Sequence, residues 1–221
     1  LEKLPANAKI LELGCGPAYL WKACIRRIPA GWTITLSDLS PGMVDAAWRN
    51  LVVTGRNFKF EQIDAQSIPY PDETFDAVIA NHMLYHVPER KKALTEIRRA
   101  LKADGRLFAT TVGDHHLKEI SAWLSRATNK NDLARFTQPF LLENGLSQLQ
   151  EFFAKVKLSR YDDNLRVTEV EPIMAYIRSG IRAVDFSETE MAKIEKELTS
   201  QLERDGEIFI TKDSGLFEAQ K

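Results

Sequence analysis

Cysteine is scarce in this chain: Cys15 and Cys24 are the only two. One lies in a glycine turn and the other on the helical segment that follows. Neither a disulfide framework nor a metal site is expected from them, and the usage fits a reducing, cytoplasmic setting. An excess of one charge is also missing. Thirty Lys and Arg face 31 Asp and Glu, for a net charge of −1, which leaves no electrostatic case for a nucleic-acid partner. The local basic cluster of Arg90, Lys91, Lys92, Arg98, Arg99 and Lys102 reads as a solvated helix face. No apolar run approaches membrane-spanning length, and no signal peptide is legible. Repeats, low-complexity segments and interdomain linkers are absent. What remains is a 221-residue chain, 44% hydrophobic and 28% charged, enough for one soluble domain with a sizeable core.

The informative stretch is Ile10–Trp21. Ile10, Leu11 and Leu13 form a short apolar run of the kind a strand buried on both faces requires. Gly14 and Gly16 supply a tight turn and close access to the main chain, and Pro17 suits the first position of a helix. A strand feeding a glycine turn and a helix is how open α/β sheets hold adenosine cofactors. A dinucleotide fingerprint needs a third glycine, and Tyr19 stands there. A pyrophosphate also wants free N–H groups and no anion nearby, yet Pro17 removes a donor and Glu12 adds a carboxylate. Those features suit a ligand with a cationic end, such as the sulfonium and ammonium of S-adenosylmethionine. The alternative is an ordinary strand–turn–helix corner.

Further along, the pattern predicts a helix over 17–28, a strand over 32–38 and a helix over 41–51. Asp38 closes the second strand about twenty positions after Gly16, where an acid can accept from both ribose hydroxyls. It can equally serve as a helix cap, a role open to Ser40 as well. Residues 58–63 form a third strand ending at Asp64-Ala65, with Asp64 either an adenine ligand or a turn-stabilising acid. Phe75–Ala80 is the most apolar strand and therefore central. Asn81–His86 follows it, then a helix over 89–101 stopped by Ala103-Asp104-Gly105, and a fifth strand over 106–112. Residues 114–138 and 139–153 read as helices, the second with Gly145 inside, and 154–161 as a strand. Helices are expected over 171–179 and 187–204, the latter opened by a Ser187/Glu190 capping box and closed at Gly206. Segments 207–212 and 216–220 read as a closing hairpin.

Taken in order, Ile10–Trp21, Leu36–Ala46, Phe60–Ala65, Phe75–His86 and Glu96–Gly105 resemble the successive motifs of class I S-adenosylmethionine-dependent methyltransferases. The nearest branch is the small-molecule one that includes quinone-biosynthesis enzymes. The resemblance covers roughly residues 8–113. It implies a Rossmann-like α/β fold: a mostly parallel sheet of seven strands, the last antiparallel, with helices on both faces and helical insertions. It also implies one domain over 1–221, with a cofactor-binding core at 1–113 and insertions at 114–140 and 163–207 as a cover for the acceptor pocket. Carried over, Glu12, Gly14 and Gly16 hold the methionine end, and Asp38 takes the ribose. Met43 and Ala65 flank the adenine, Asp64 binds its amino group, and Asn81 sits by the methionine part; Cys15 and Leu39 also count as cofactor-binding positions. Two positions depart from the family's usual pattern: Ala18 replaces a frequent glycine, and Ala103-Asp104-Gly105 replaces Pro-Gly-Gly.

Methyl transfer from a sulfonium is an in-line displacement that asks the protein mainly to position donor and acceptor and exclude water. A base is needed only for an acidic acceptor. His86 is the leading candidate, against the plainer reading of a structural or exposed histidine. His82, Tyr85, His86 and His115 are expected to line the acceptor pocket, without a metal. The expected reaction is methylation of a small molecule, with S-adenosyl-L-homocysteine as product. A non-catalytic S-adenosylmethionine sensor or partner subunit and a nicotinamide-dependent oxidoreductase are the competing classes. The oligomeric state and the acceptor are left open, as is any N-terminal cap ahead of the first strand.

Overall fold

The computed structural model describes residues 4–128, 139–179 and 186–221. They form two compact units. The first comprises residues 4–111, 139–159 and 215–221; the second comprises 112–128, 160–179 and 186–214.

In the first unit, β1 (Lys9–Leu13), β2 (Thr33–Asp38), β3 (Phe58–Gln62), β4 (Phe75–Asn81) and β5 (Leu101–Val112) run parallel. With β6 (Lys155–Val167) and β7 (Ile208–Gln220) they complete a seven-stranded sheet in the order β3-β2-β1-β4-β5-β7-β6. The expected central position of β4 is what the sheet shows. The last strand runs against β5: the N–H of Lys221 donates to the carbonyl of Gly105 at 3.2 Å, and that of Gly113 to Asp213 at 2.9 Å. Strand alternation sorts the core into two faces. Ile10, Ala77, Ile79 and Phe108 pack with Trp21 of α1 (Tyr19–Cys24) and with Ala47 and Leu51 of α2 (Pro41–Leu51). Leu11, Leu13, Val78, Ala80, Leu107 and Ala109 pack with Ala93, Leu94 and Ile97 of α3 (Arg90–Ala100) and with Leu142 and Leu149 of α5 (Leu142–Gln150).

Three local expectations are corrected. Pro17 does not begin the first helix. Ala18 takes the left-handed conformation (φ 59°) at its N-cap and α1 begins at Tyr19, so the glycine common in the family is the residue that backbone favours. Residues 103–105 do not stop α3. The helix ends at Ala100, and Leu101 pairs with Phe75 across an irregular register. The closing hairpin is one continuous strand, β7, because Asp213-Ser214-Gly215 stays extended instead of turning. In the basic cluster Lys91, Lys92 and Arg98 are exposed, as a solvated face requires, while Arg90, Arg99 and Lys102 are half-buried. Arg99 holds Glu96, Asp72 and the carbonyls of Ile68 and Tyr70, Lys91 reaches Glu151, and Lys102 reaches Asp76.

The second unit has its own core. Leu117, and Ile120 and Trp123 of α4 (Lys118–Thr128), pack with Ile173, Met174 and Ile177 of α6 (Val170–Ser179) and with Ile194 and Leu198 of α7 (Glu188–Asp205). The expected box at the start of α7 is present, with Ser187 and Glu190 exchanging hydrogen bonds, and Gly206 ends it at φ 76°. Residues 129–138 and 180–185, parts of the anticipated insertions, lie outside the described residues. No helix among the described residues is long and apolar enough to cross a membrane.

Gly145, inside α5, looks like a helix defect until its neighbours are considered. A Cβ there would lie 2.7 Å from the Phe217 ring and 3.1 Å from Phe140, whose rings pack 5.7 Å apart. We expect Gly145→Ala to lower stability by about 1–3 kcal/mol through overpacking, outweighing alanine's better helix propensity of about 1 kcal/mol. Urea unfolding midpoints check this, and a stabilised variant would contradict it.

Candidate cofactor site

The carboxyl ends of β1 to β4 surround a cavity of about 430 Å³, within the size range of small-molecule sites. The turn after β1 is fixed first. The N–H of Cys15 donates to the carbonyl of Ser37 at 2.8 Å, and Asn50 of α2 donates to the carbonyl of Pro17 at 2.9 Å. Gly14 sits at φ 65°, and a Cβ there would lie 2.7 Å from that of Met83. Its lack of a side chain therefore serves the turn and the approach of the segment after β4 together.

Asp38 ends β2 with both oxygens engaged by backbone. Oδ2 accepts from Gly16 N–H at 3.0 Å and Oδ1 from Ser40 N–H at 2.9 Å. Ser40 is the N-cap of α2, but its side chain makes no cap bond; Asp38 accepts from its backbone instead. Asp64, after β3, accepts from the backbone N–H of Gln66 at 2.8 Å and from its side-chain amide at 3.0 and 3.1 Å. The Gln66 carbonyl oxygen in turn accepts from Glu89 N–H.

Glu12 lies behind this rim and is only 2% exposed. Its carboxylate accepts from Trp21 Nε1 and, at 3.0 Å, from Asn81 Nδ2. Asn81 Oδ1 accepts from the Thr110 hydroxyl at 3.2 Å. Burial pushes the Glu12 pKa up to about 7, ahead of the opposing hydrogen bonds from Trp21 and Asn81. The Cys15 thiol is pushed up to about 12, first by burial and then by the charges of Glu12 and Asp38, so little of it is thiolate at neutral pH.

Among the residues singled out from sequence, Gly14, Asp38, Leu39, Asp64, Ala65, His82 and His86 line the cavity. Glu12, Cys15, Gly16, Met43, Asn81 and Tyr85 do not line it, and Met43 is an exposed residue of α2. Tyr85 packs its ring 4.5 Å from that of His86, and burial raises its pKa. His82 holds φ 49°, and partial burial lowers its pKa, which keeps the ring neutral. His115 belongs to the second unit. There Asp114, His115 and Asp213 bring possible metal-binding atoms within 4.8 Å of one another, although Asp213 already pairs with Arg160 at 2.9 Å. Gln66, Ser40 and Met83 line the cavity without having been foreseen. Their roles depend on loop geometry, and nothing in their local pattern marks them.

A family model described as a methyltransferase domain matches residues 11–109. The matched residues 11–109 run from β1 into β5. The chain is 28% identical over 117 residues to a ubiquinone/menaquinone biosynthesis C-methyltransferase of Pectobacterium carotovorum, a match covering 52% of this chain and 47% of that protein. It is 33% identical over 159 residues to an uncharacterised methyltransferase, YcgJ, of Bacillus subtilis, covering 71% and 59%. The chain thus spans about half the length of the first of these relatives. The crystal structure of a methyltransferase-like protein from Bacillus halodurans aligns with a TM-score of 0.68 at 17% identity, covering 99% of this chain and 94% of that one, which shows a shared fold.

The donor set fits S-adenosylmethionine, the cofactor that the resemblance in sequence implies. Two carboxylates, Asp38 and Asp64, stand at adjacent strand ends for hydroxyl and amino donors. Leu39, Ile63, Ala65 and Val87 offer apolar walls, and the buried Glu12 carboxyl group, held by the neutral donors Trp21 and Asn81, lies behind them.

The buried acid has a stability consequence. The folded-state pKa of Glu12 lies above its unfolded value, so its stabilising contribution is complete below about pH 4.5 and disappears as pH rises through about 7. Glu12→Gln removes that dependence. At pH 8 the variant is expected to be more stable than the parent, by on the order of 3 kcal/mol at most. At pH 4.5 the advantage vanishes. Urea denaturation at the two pH values reads this difference, and an equal offset at both would refute it.

Proposed function

We propose that this chain transfers a methyl group from S-adenosylmethionine to a small-molecule acceptor by in-line displacement. The observation that carries this reading is the convergence of Asp38 and Asp64 on one cavity, with buried Glu12 behind it. Bound S-adenosylmethionine supplies an electrophilic methyl carbon on a sulfonium leaving group.

The chain's own residues bind and orient. Each Asp38 oxygen has a lone pair left beyond its backbone bond and takes a ribose hydroxyl. Asp64, held in place by Gln66, takes the adenine amino group, while Leu39 and Ala65 flank the ring. Glu12 and Asn81 set the electrostatics at the methionine end. His86 and Tyr85, following β4, stand on the acceptor side. His86 serves as the base where the acceptor must lose a proton.

The helical additions, residues 114–140 and 163–207, hold the determinants of acceptor choice. In support, the second unit contains its own apolar cavity of about 220 Å³ lined by Leu117, Ile120, Leu165, Val167, Pro172, Ile173, Tyr176 and Ile210. Tyr176 at its mouth is 52% exposed, so Tyr176→Ala spares the core. This variant is expected to change the range of acceptors methylated from a labelled cofactor while leaving cofactor affinity unchanged. An unaltered range would remove this cavity from acceptor selection.

The cofactor assignment is tested by calorimetry. S-adenosylmethionine and S-adenosylhomocysteine should bind and NAD should not. Asp38→Ala should weaken binding by about 10–150-fold, the equivalent of about 1.5–3 kcal/mol for a hydrogen bond to a charged group. Unchanged affinity in a folded variant, or tight NAD binding, would overturn the assignment.

A further inference from the structure

Among the described residues Glu12 is the only charged side chain that is buried. Its partners, Trp21 and Asn81, are both neutral donors. The groups facing it are known from every neighbouring element. From β2 come Asp38, whose charge opposes a second anion, and Ser37, whose hydroxyl donates to the Glu12 carbonyl at 2.7 Å. The turn contributes the protonated Cys15 thiol, and α1 contributes Trp21 and Cys24. From β4 comes Asn81, backed by Thr110 of β5. No cation forms an ion pair with Glu12 among the described residues.

The same heavy atoms satisfy both protonation states. With Glu12 ionised, Asn81 donates to it through Nδ2 and accepts from the Thr110 hydroxyl through Oδ1. With Glu12 protonated, a reversed Asn81 amide accepts the Glu12 O–H and donates to the Thr110 oxygen, because a hydroxyl both donates and accepts.

We propose that Glu12 is a proton switch coupled to the cofactor: it carries a proton while the site is empty and releases that proton to solvent when a ligand with a cationic end binds. The inference rests on the assignment of this cavity to S-adenosylmethionine. Burial holds the empty-site pKa at about 7. The sulfonium and ammonium, acting through a weakly screening interior, favour the carboxylate and pull that value down. By linkage, cofactor affinity then rises with pH until the empty-site pKa is passed.

Calorimetric titration of the whole chain with S-adenosylmethionine, in paired buffers of different ionisation enthalpy, counts the protons released. Subtracting the count for Glu12→Gln removes contributions from the cofactor's own amino group and from the rest of the protein. The difference should be close to one proton at pH 6, about half at pH 7 and near zero at pH 8.5. The affinity of the parent should rise about tenfold from pH 6 to pH 8 beyond any change in the variant. Trp21→Phe removes a donor to the charged form, so release should persist to higher pH; this arm stands if Glu12→Gln does not fold. Binding with equal proton counts in parent and variant, or an unmoved profile in Trp21→Phe, overturns the switch and leaves the cofactor assignment intact. No binding of S-adenosylmethionine overturns both.

Discussion

The first unit depends on a carboxylate placed where water does not reach. Glu12 follows Leu11 and precedes Leu13 on β1, so strand alternation turns it away from their face toward α1. There its carboxylate gathers Trp21 from the helix and Asn81 from β4, and its backbone carbonyl accepts from Ser37 of β2. Thr110 extends the network to β5. One acidic residue thereby ties four strands and the first helix at the sheet edge that carries the cavity. A leucine would pack there without the desolvation cost, but it would leave the donors of Trp21 and Asn81 unpaired in the interior.

The other two acids of the site work on a different principle. Asp38 and Asp64 lie at the surface of the cavity and hold the backbone that shapes it. Asp38 joins the glycine turn to the start of α2, and Asp64 folds the chain back through Gln66. Both carboxylates are thereby oriented by the protein before anything enters the cavity. The same carboxylates that hold these loops line the cavity, so shaping the backbone and presenting acids to the cavity are one arrangement.

The second unit is built from helices that pair their apolar faces with each other, around Ile173, Met174, Ile194 and Leu198. It contains its own apolar cavity and a group of Asp and His side chains, Asp114, His115 and Asp213, with surface exposure. Its chemistry is unlike the polar, backbone-rich rim at the ends of β1 to β4.

Much of the first unit was legible from residue order alone. Apolar runs of strand length, glycines in the turns and acids at strand ends are local signals, and they located β1 to β4, α2, α3 and the acids at positions 12, 38 and 64. The central place of β4 followed from its being apolar on both faces. What the sequence could not decide was how distant residues meet. Trp21 as the partner of Glu12, the seat of Met83 on Gly14 and the hold of Gln66 on Asp64 all depend on tertiary contact. So does the continuity of β7, where Asp213-Ser214-Gly215 has turn composition but is drawn straight by pairing with β5. The residue type at position 12 determined that an acid would be present. Only the fold decided that it would be buried beside neutral donors, because the cost of burying a charge is set by whatever surrounds it in space.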